Sequence, residues 1–117
     1  GPELKRGKKL LAESTRRLRS LEEFLDTWDA ERLDNELRQL EPLRAAVGFL
    51  ARGSRSPDNE RLAADFLAEL DDFAAFCRVQ DWAAAAFSYR RTLEALEIYQ
   101  RGIGVACERR VRGCRRS

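Results

Sequence analysis

The sequence has no histidine and no methionine among its 117 residues. Without histidine, the chain lacks the commonest general base, the centre of the usual catalytic triads and the commonest metal ligand. The missing methionine also excludes His/Met haem ligation. Di-iron sites in four-helix bundles need Glu-x-x-His pairs, which this chain cannot supply. We therefore expect a protein that is not an enzyme and that binds no cofactor or metal ion.

Cysteine is scarce: three residues are too few for a disulfide framework or a zinc site. Cys77 lies on an apolar stripe and is predicted to be a core residue. Cys107 and Cys114 would be about 10 Å apart along a continuous helix, which is too far for a disulfide. They could pair only if Gly113 breaks the helix and the chain turns back, and the sequence leaves both arrangements open.

Long apolar runs and phosphate-binding loops are also missing. No uninterrupted apolar stretch approaches the roughly 20 residues that a membrane span needs. Gly102 and Gly104 neither follow a strand nor open a helix, so they do not form a phosphate loop. The acidic runs at 22–23 and 69–72 fall on solvent-facing arcs of predicted helices, and we interpret them as surface charge rather than as catalytic carboxylates.

The charge is unevenly distributed. Residues 1–20 carry a net charge of +5 and residues 105–117 a net charge of +4, which leaves −7 for the residues between them. Basic ends on an acidic body are typical of docking on an acidic protein, anionic lipid or nucleic acid, although they also suit solvated helix ends and a tail. Nucleic acid is the least favoured partner, because the tail lacks interleaved aromatic residues and the acidic body would repel a polyanion.

Apolar residues recur at spacings of three, four and seven in four segments, which predicts four amphipathic helices. Their predicted ranges are about 3–26, 28–51, 57–79 and 82–103, followed by a basic C-terminal extension at 105–117. Ser56 and Asp81 are predicted to cap the third and fourth helices, and Asp26 or Thr27 the second. Pro42 predicts a kink or short break near Leu40. Short connections favour antiparallel neighbours, so the expected fold is all-α, an up-down-up-down four-helix bundle occupying residues 1–104.

Two tryptophans stand at predicted helix corners. Trp28 lies between the first and second helices, and Trp82 between the third and fourth. In an up-down bundle these corners lie at the same end. The two side chains are therefore predicted to plug that end of the core together, each burying on the order of 200 Å². The less favoured alternative is that Trp28 contacts a ligand.

Several segments occur in an order that resembles the PsbQ family, the small extrinsic subunits of photosystem II. They are "AES" at 12–14, a tryptophan at the first corner, "LDNELRQLEPLR" at 33–44, "LAADFLAELDDFAAF" at 62–76 and "AAAAFSYRRTLEALEIYQRGIG" at 83–104. The resemblance covers most of the chain, from about Ala12 to Gly104. Pro42 and the tail after Gly104 depart from the family pattern.

The resemblance implies a non-catalytic protein of the chloroplast thylakoid lumen, peripheral to the membrane, that stabilises the oxygen-evolving centre and helps to retain calcium and chloride. Its implied partners are lumenal subunits of photosystem II and other extrinsic proteins. The partner-binding residues predicted on this basis are Lys5, Arg6, Lys8, Lys9, Arg16 and Arg17, with Arg109, Arg110 and Arg112 second. The alternative is a helical adaptor or scaffold module, for example a soluble cytoplasmic one, that binds another protein complex through a charged helix face.

Overall fold

The computed structural model describes residues 2–27 and 29–104, apart from the side chain of Phe24, and within these ranges all regular secondary structure is helical. The all-α prediction is therefore confirmed. Five α-helices lie in the described ranges: α1 (Pro2–Ser20), α2 (Ala30–Arg38), α3 (Glu41–Gly53), α4 (Pro57–Arg78) and α5 (Trp82–Ile103). None of them is both long enough and apolar enough to cross a lipid bilayer.

The first helix ends earlier than its predicted range of 3–26. After Ser20 the chain tightens into a 3₁₀ turn at Leu21–Phe24. The Ser20 hydroxyl donates to the Arg17 carbonyl at 2.7 Å, and the Tyr89 hydroxyl lies 2.6 Å from the Leu18 carbonyl. Side chains thus satisfy the carbonyl groups that a terminating α-helix leaves without intrahelical partners.

The second predicted helix is divided into α2 and α3. The break falls at 39–40, and Pro42 occupies the first turn of α3, which begins at Glu41. Proline is tolerated there because the first turn of a helix does not use its backbone N–H groups. The predicted break is confirmed. The predicted cap is wrong: α2 begins at Ala30, and the Asp29 side chain accepts from the Arg32 N–H at 2.7 Å.

The two long helices begin at the predicted caps. The Ser56 side chain accepts from the Asn59 N–H at 3.3 Å, and the Asp81 carboxylate accepts from the Ala84 N–H at 3.1 Å. The end of α5 is marked by Gly104, whose φ of 78° is the left-handed conformation that glycine adopts readily. The predicted N-terminal caps Ser56 and Asp81 are therefore both confirmed.

The core is filled mainly by leucine side chains, together with large aromatic residues. Phe73 and Tyr89 pack with their ring centroids 5.3 Å apart across α4 and α5. Cys77 is buried in this cluster, as predicted. Trp82 is half-buried and packs against the cluster at the start of α5. Trp28 lies outside the described residues, so the pairing of the two tryptophans as a core plug stays a prediction.

The helices enclose this core through a closed series of contacts. α1 packs on α3, α3 on α4, and α4 on α5 along most of their length, while α2 also contacts α4. Side chains complete the series between α5 and α1: Gln100 donates to the Thr15 hydroxyl at 3.5 Å, and Tyr89 reaches the end of α1. One outer face of α1 is left exposed to solvent.

Candidate docking surface

The exposed face of α1 carries a dense set of basic side chains. Lys5, Lys9 and Arg16 are four and seven residues apart, which places them on one stripe of the helix. All three are exposed, as are Lys8 and Arg6. The opposite face of α1 is anchored by fully buried leucines, including Leu11 and Leu18. The packing of α1 therefore holds these predicted docking residues on one outward surface, which we call the basic face.

Two further arginines of α1 make contacts within the fold. Arg17 is exposed but donates to the Gln39 side chain at 3.2 Å. Arg19 pairs with Glu97 of α5 at 3.4 Å and is partly buried. Arg19 therefore contributes to the contact between α1 and α5. The other predicted docking residues, Arg109, Arg110 and Arg112, lie outside the described residues, as do Cys107 and Cys114.

Beside the basic face, an open groove of about 420 Å³ runs between α1 and α3. Gly7, Leu10 and Ala46 contribute to its lining. Phe49 is 37% exposed there, although it is a large apolar side chain. Arg6 on α1 and Arg52 on α3 also line it and place two positive charges at its edges. We refer to this feature as the α1/α3 groove.

Gly7 explains how α1 and α3 approach closely beneath the groove. A Cβ atom at this buried position would lie 3.2 Å from the Phe49 ring and 3.2 Å from a methyl group of Leu50. These distances are tighter than ordinary contacts. Sequence reasoning missed the groove, although one signal was available: Phe49 falls outside the apolar stripe to which Val47 and Leu50 belong.

A second open surface lies between α4 and α5, and its geometry is dominated by an ion pair. Arg91 binds Glu69 through two hydrogen bonds, at 2.8 and 3.1 Å. The hydrogen bonds and charge of Glu69 raise the pKa of Arg91. The guanidinium also lies 5.9 Å from the centre of the exposed Phe87 ring. Glu69, one of the acids at 69–72, thus pairs with Arg91 of the neighbouring helix.

Three buried side chains, Cys77, Tyr89 and Tyr99, have raised pKa values. Burial raises the pKa of the Cys77 thiol to about 12, so it stays protonated at neutral pH. Burial also raises the pKa values of Tyr89 and Tyr99. Within residues 2–27 and 29–104, no group of three or more cysteine, aspartate or glutamate side chains is placed to hold a metal ion.

Comparisons with protein-family models, curated proteins and solved structures find no match to this chain. The resemblance to the PsbQ family therefore rests on the sequence segments quoted above.

Proposed function

We propose that this chain is a non-catalytic extrinsic subunit that docks on the lumenal face of photosystem II. In this role it stabilises the oxygen-evolving centre, helps to retain calcium and chloride, and lies peripherally on the membrane in the chloroplast thylakoid lumen. The observation that carries the proposal is the basic face of α1, on which Lys5, Lys9 and Arg16 form one exposed stripe. Charged surfaces of this kind guide a protein to an acidic partner. The resemblance to PsbQ subunits supplies the partner's identity.

We further propose that the helices form an up-down-up-down four-helix bundle, with α2 and α3 together serving as the second helix. Three sets of contacts support this order. Gly7 near the start of α1 lies against Leu50 near the end of α3. Glu69 in the middle of α4 pairs with Arg91 of α5, whereas Asn59 at the start of α4 lies beside Gly102 at the end of α5. Antiparallel neighbours would bring such positions together.

The test is charge reversal on the basic face. Lys5→Glu combined with Lys9→Glu should weaken binding to salt-washed photosystem II membranes by about tenfold at low salt, since each lost exposed contact contributes roughly 0.5–1 kcal/mol. The matched control is Arg55→Glu with Arg90→Glu, two exposed residues with the same change in net charge, one in the turn after α3 and one on α5. Circular dichroism should show both variants folded.

The two variants separate the possible results of this binding experiment. Docking through the basic face is supported if only the α1 variant loses binding affinity and if this loss is smaller at high salt. Equal losses in both variants would show that only the overall charge matters. Unchanged affinity of the α1 variant at low salt would count against the proposal, because exposed charge contacts are strongest there.

The α1/α3 groove also suits a second candidate, a helical adaptor or scaffold module that binds a different protein complex. Its exposed Phe49 offers an apolar contact that docking by charge alone would not use. Localisation of the full-length protein separates the candidates. Delivery to the thylakoid lumen supports the extrinsic subunit, whereas residence in the cytoplasm supports the adaptor.

A further inference from the structure

We infer that the α1/α3 groove binds one acidic amphipathic helix of the docking partner. This inference rests on the proposed function, because it names the partner segment that would meet the same surface. The basic face would attract the partner, and the groove would hold one of its helices by apolar contact. Three properties of the groove support this occupant: its length, its apolar lining and the sign of the charge around it.

Joined to a second open pocket beyond Leu10, the groove has the length of a short helix. Its first part ends near Glu3 on α1 and Arg52 on α3. A second open part of about 340 Å³ also touches Leu10 and continues to Pro42. The hydrogen bond from Arg17 to Gln39 spans the two sides at this far end. Residues 3 to 17 of a helix cover about 21 Å, the length of a segment of roughly four turns.

The lining suits the apolar stripe of such a segment. Leu10 on α1 is half-buried, and on α3 Phe49 is 37% exposed and Ala45 is exposed. Small side chains at Ala45 and Ala46 leave room for larger ones from a partner. An amphipathic helix would place apolar residues at i, i+3 or i+4, and i+7 into this space. The near part of the groove thus offers apolar contacts, and the far part adds polar ones from Glu13 and Gln39.

The lining of the groove carries three arginines against two glutamates, a net charge of +1 that favours an acidic occupant over a basic one. Arg6 and Arg52 line its near part on opposite helices, and Arg17 lines its far part. The acids Glu3 and Glu13 also line the groove, but the lysines of the basic face lie alongside, and residues 1–20 have a net charge of +5. Carboxylates on the outer face of the occupant would therefore meet a positive surface, whereas a basic helix would be repelled.

The probe is a synthetic peptide of about 14 residues that carries leucines at helical spacing and glutamates elsewhere. A scrambled peptide of the same composition, without the leucine stripe, has the same charge. Each is titrated into the full chain labelled with ¹⁵N, and binding is followed by NMR. The groove variant is Ala45→Gln, which adds a polar side chain at an exposed position without changing the charge. Its control is Ala64→Gln, an equivalent change at an exposed position of α4.

The patterned peptide should shift the amide signals of Gly7, Ala45 and Phe49, and Ala45→Gln should weaken its binding by about fivefold or more, because the added side chain fills the groove. Ala64→Gln should leave the affinity unchanged. Equal binding of the scrambled peptide, shifts located elsewhere, no binding, or no effect of Ala45→Gln would each overturn the inference. Self-association that Ala45→Gln abolishes would assign the groove to a second copy of the chain and would also overturn it.

Failure of this inference can be distinguished from failure of the proposed function. If Ala45→Gln rebinds photosystem II membranes normally while the lysine reversals do not, docking stands and the groove has no part in it. If the patterned peptide binds the groove but the membranes do not bind the protein, the acidic-helix site stands and the photosystem II assignment falls.

Discussion

At the scale of single residues, Tyr89 links two parts of the described fold that are far apart in the sequence. Its ring packs on Phe73 in the core, and its hydroxyl lies 2.6 Å from the Leu18 carbonyl and 2.9 Å from the Arg19 carbonyl. The side chain therefore joins α5 to the point where α1 gives way to a 3₁₀ turn. The apolar pattern of α5 predicts that Tyr89 faces the core. It does not reveal the hydroxyl's partner, which lies about 70 residues away in the sequence.

Tyr89→Phe should lower the free energy of unfolding by about 1–3 kcal/mol, because it removes one hydroxyl and leaves buried carbonyl oxygens without that donor. Urea unfolding followed by circular dichroism measures this change. Phe87→Leu is the control, since Phe87 is 59% exposed and a change there should have little effect. A Tyr89→Phe protein as stable as the original would show that the hydroxyl contributes nothing to stability.

The buried tyrosines and Cys77 also predict a loss of stability in alkali. Their pKa values in the fold are raised above the ordinary values of 10.0 for tyrosine and 9.0 for cysteine. Their contribution is therefore complete below about pH 9. It falls as the pH rises through 9 and 10 toward the raised values, because the unfolded chain releases these protons first. Urea titrations between pH 8 and 11 should show this fall, and Tyr89→Phe should make it shallower. A constant free energy of unfolding up to pH 11 would contradict the account.

At the scale of helices, the features predicted from sequence were those fixed by nearby residues. Ser56 and Asp81 cap the helices that follow them, because each side chain needs only an N–H three residues further on. Pro42 likewise marks the break between α2 and α3 through local geometry. The end of α1 at Ser20 could not be found in this way, because Tyr89, which contacts its last turn, comes from another helix.

The cap at Asp81 is directly testable. Asp81→Ala should destabilise the protein by about 1 kcal/mol, because the Ala84 N–H loses its acceptor at the start of α5. Asp81→Asn keeps a side-chain oxygen as acceptor, so its destabilisation should be only a fraction of that caused by Asp81→Ala. Thermal or urea unfolding of the two variants makes the comparison. Equal destabilisation by both changes would indicate that the negative charge near the helix N-terminus, rather than the cap hydrogen bond, is what matters.

At the scale of the whole molecule, the sequence predicted part of the candidate site. Helical periodicity and charge placed Lys5 and Lys9 on an exposed face of α1, where the structure has them. The α1/α3 groove was not predicted, because it depends on how closely α1 and α3 approach at Gly7 and on the position of the Phe49 ring. Such packing is a property of the assembled helices and cannot be read from the periodicity of either one.

The central claim is that the chain acts as an extrinsic subunit of photosystem II. Its most direct test is rebinding of the full chain to salt-washed photosystem II membranes, measured both as bound protein and as oxygen evolution at low chloride and calcium. The account predicts saturable binding that salt reverses, together with recovered oxygen evolution. Absence of binding to membranes from the source organism, or saturated binding without any recovery of activity, would contradict it.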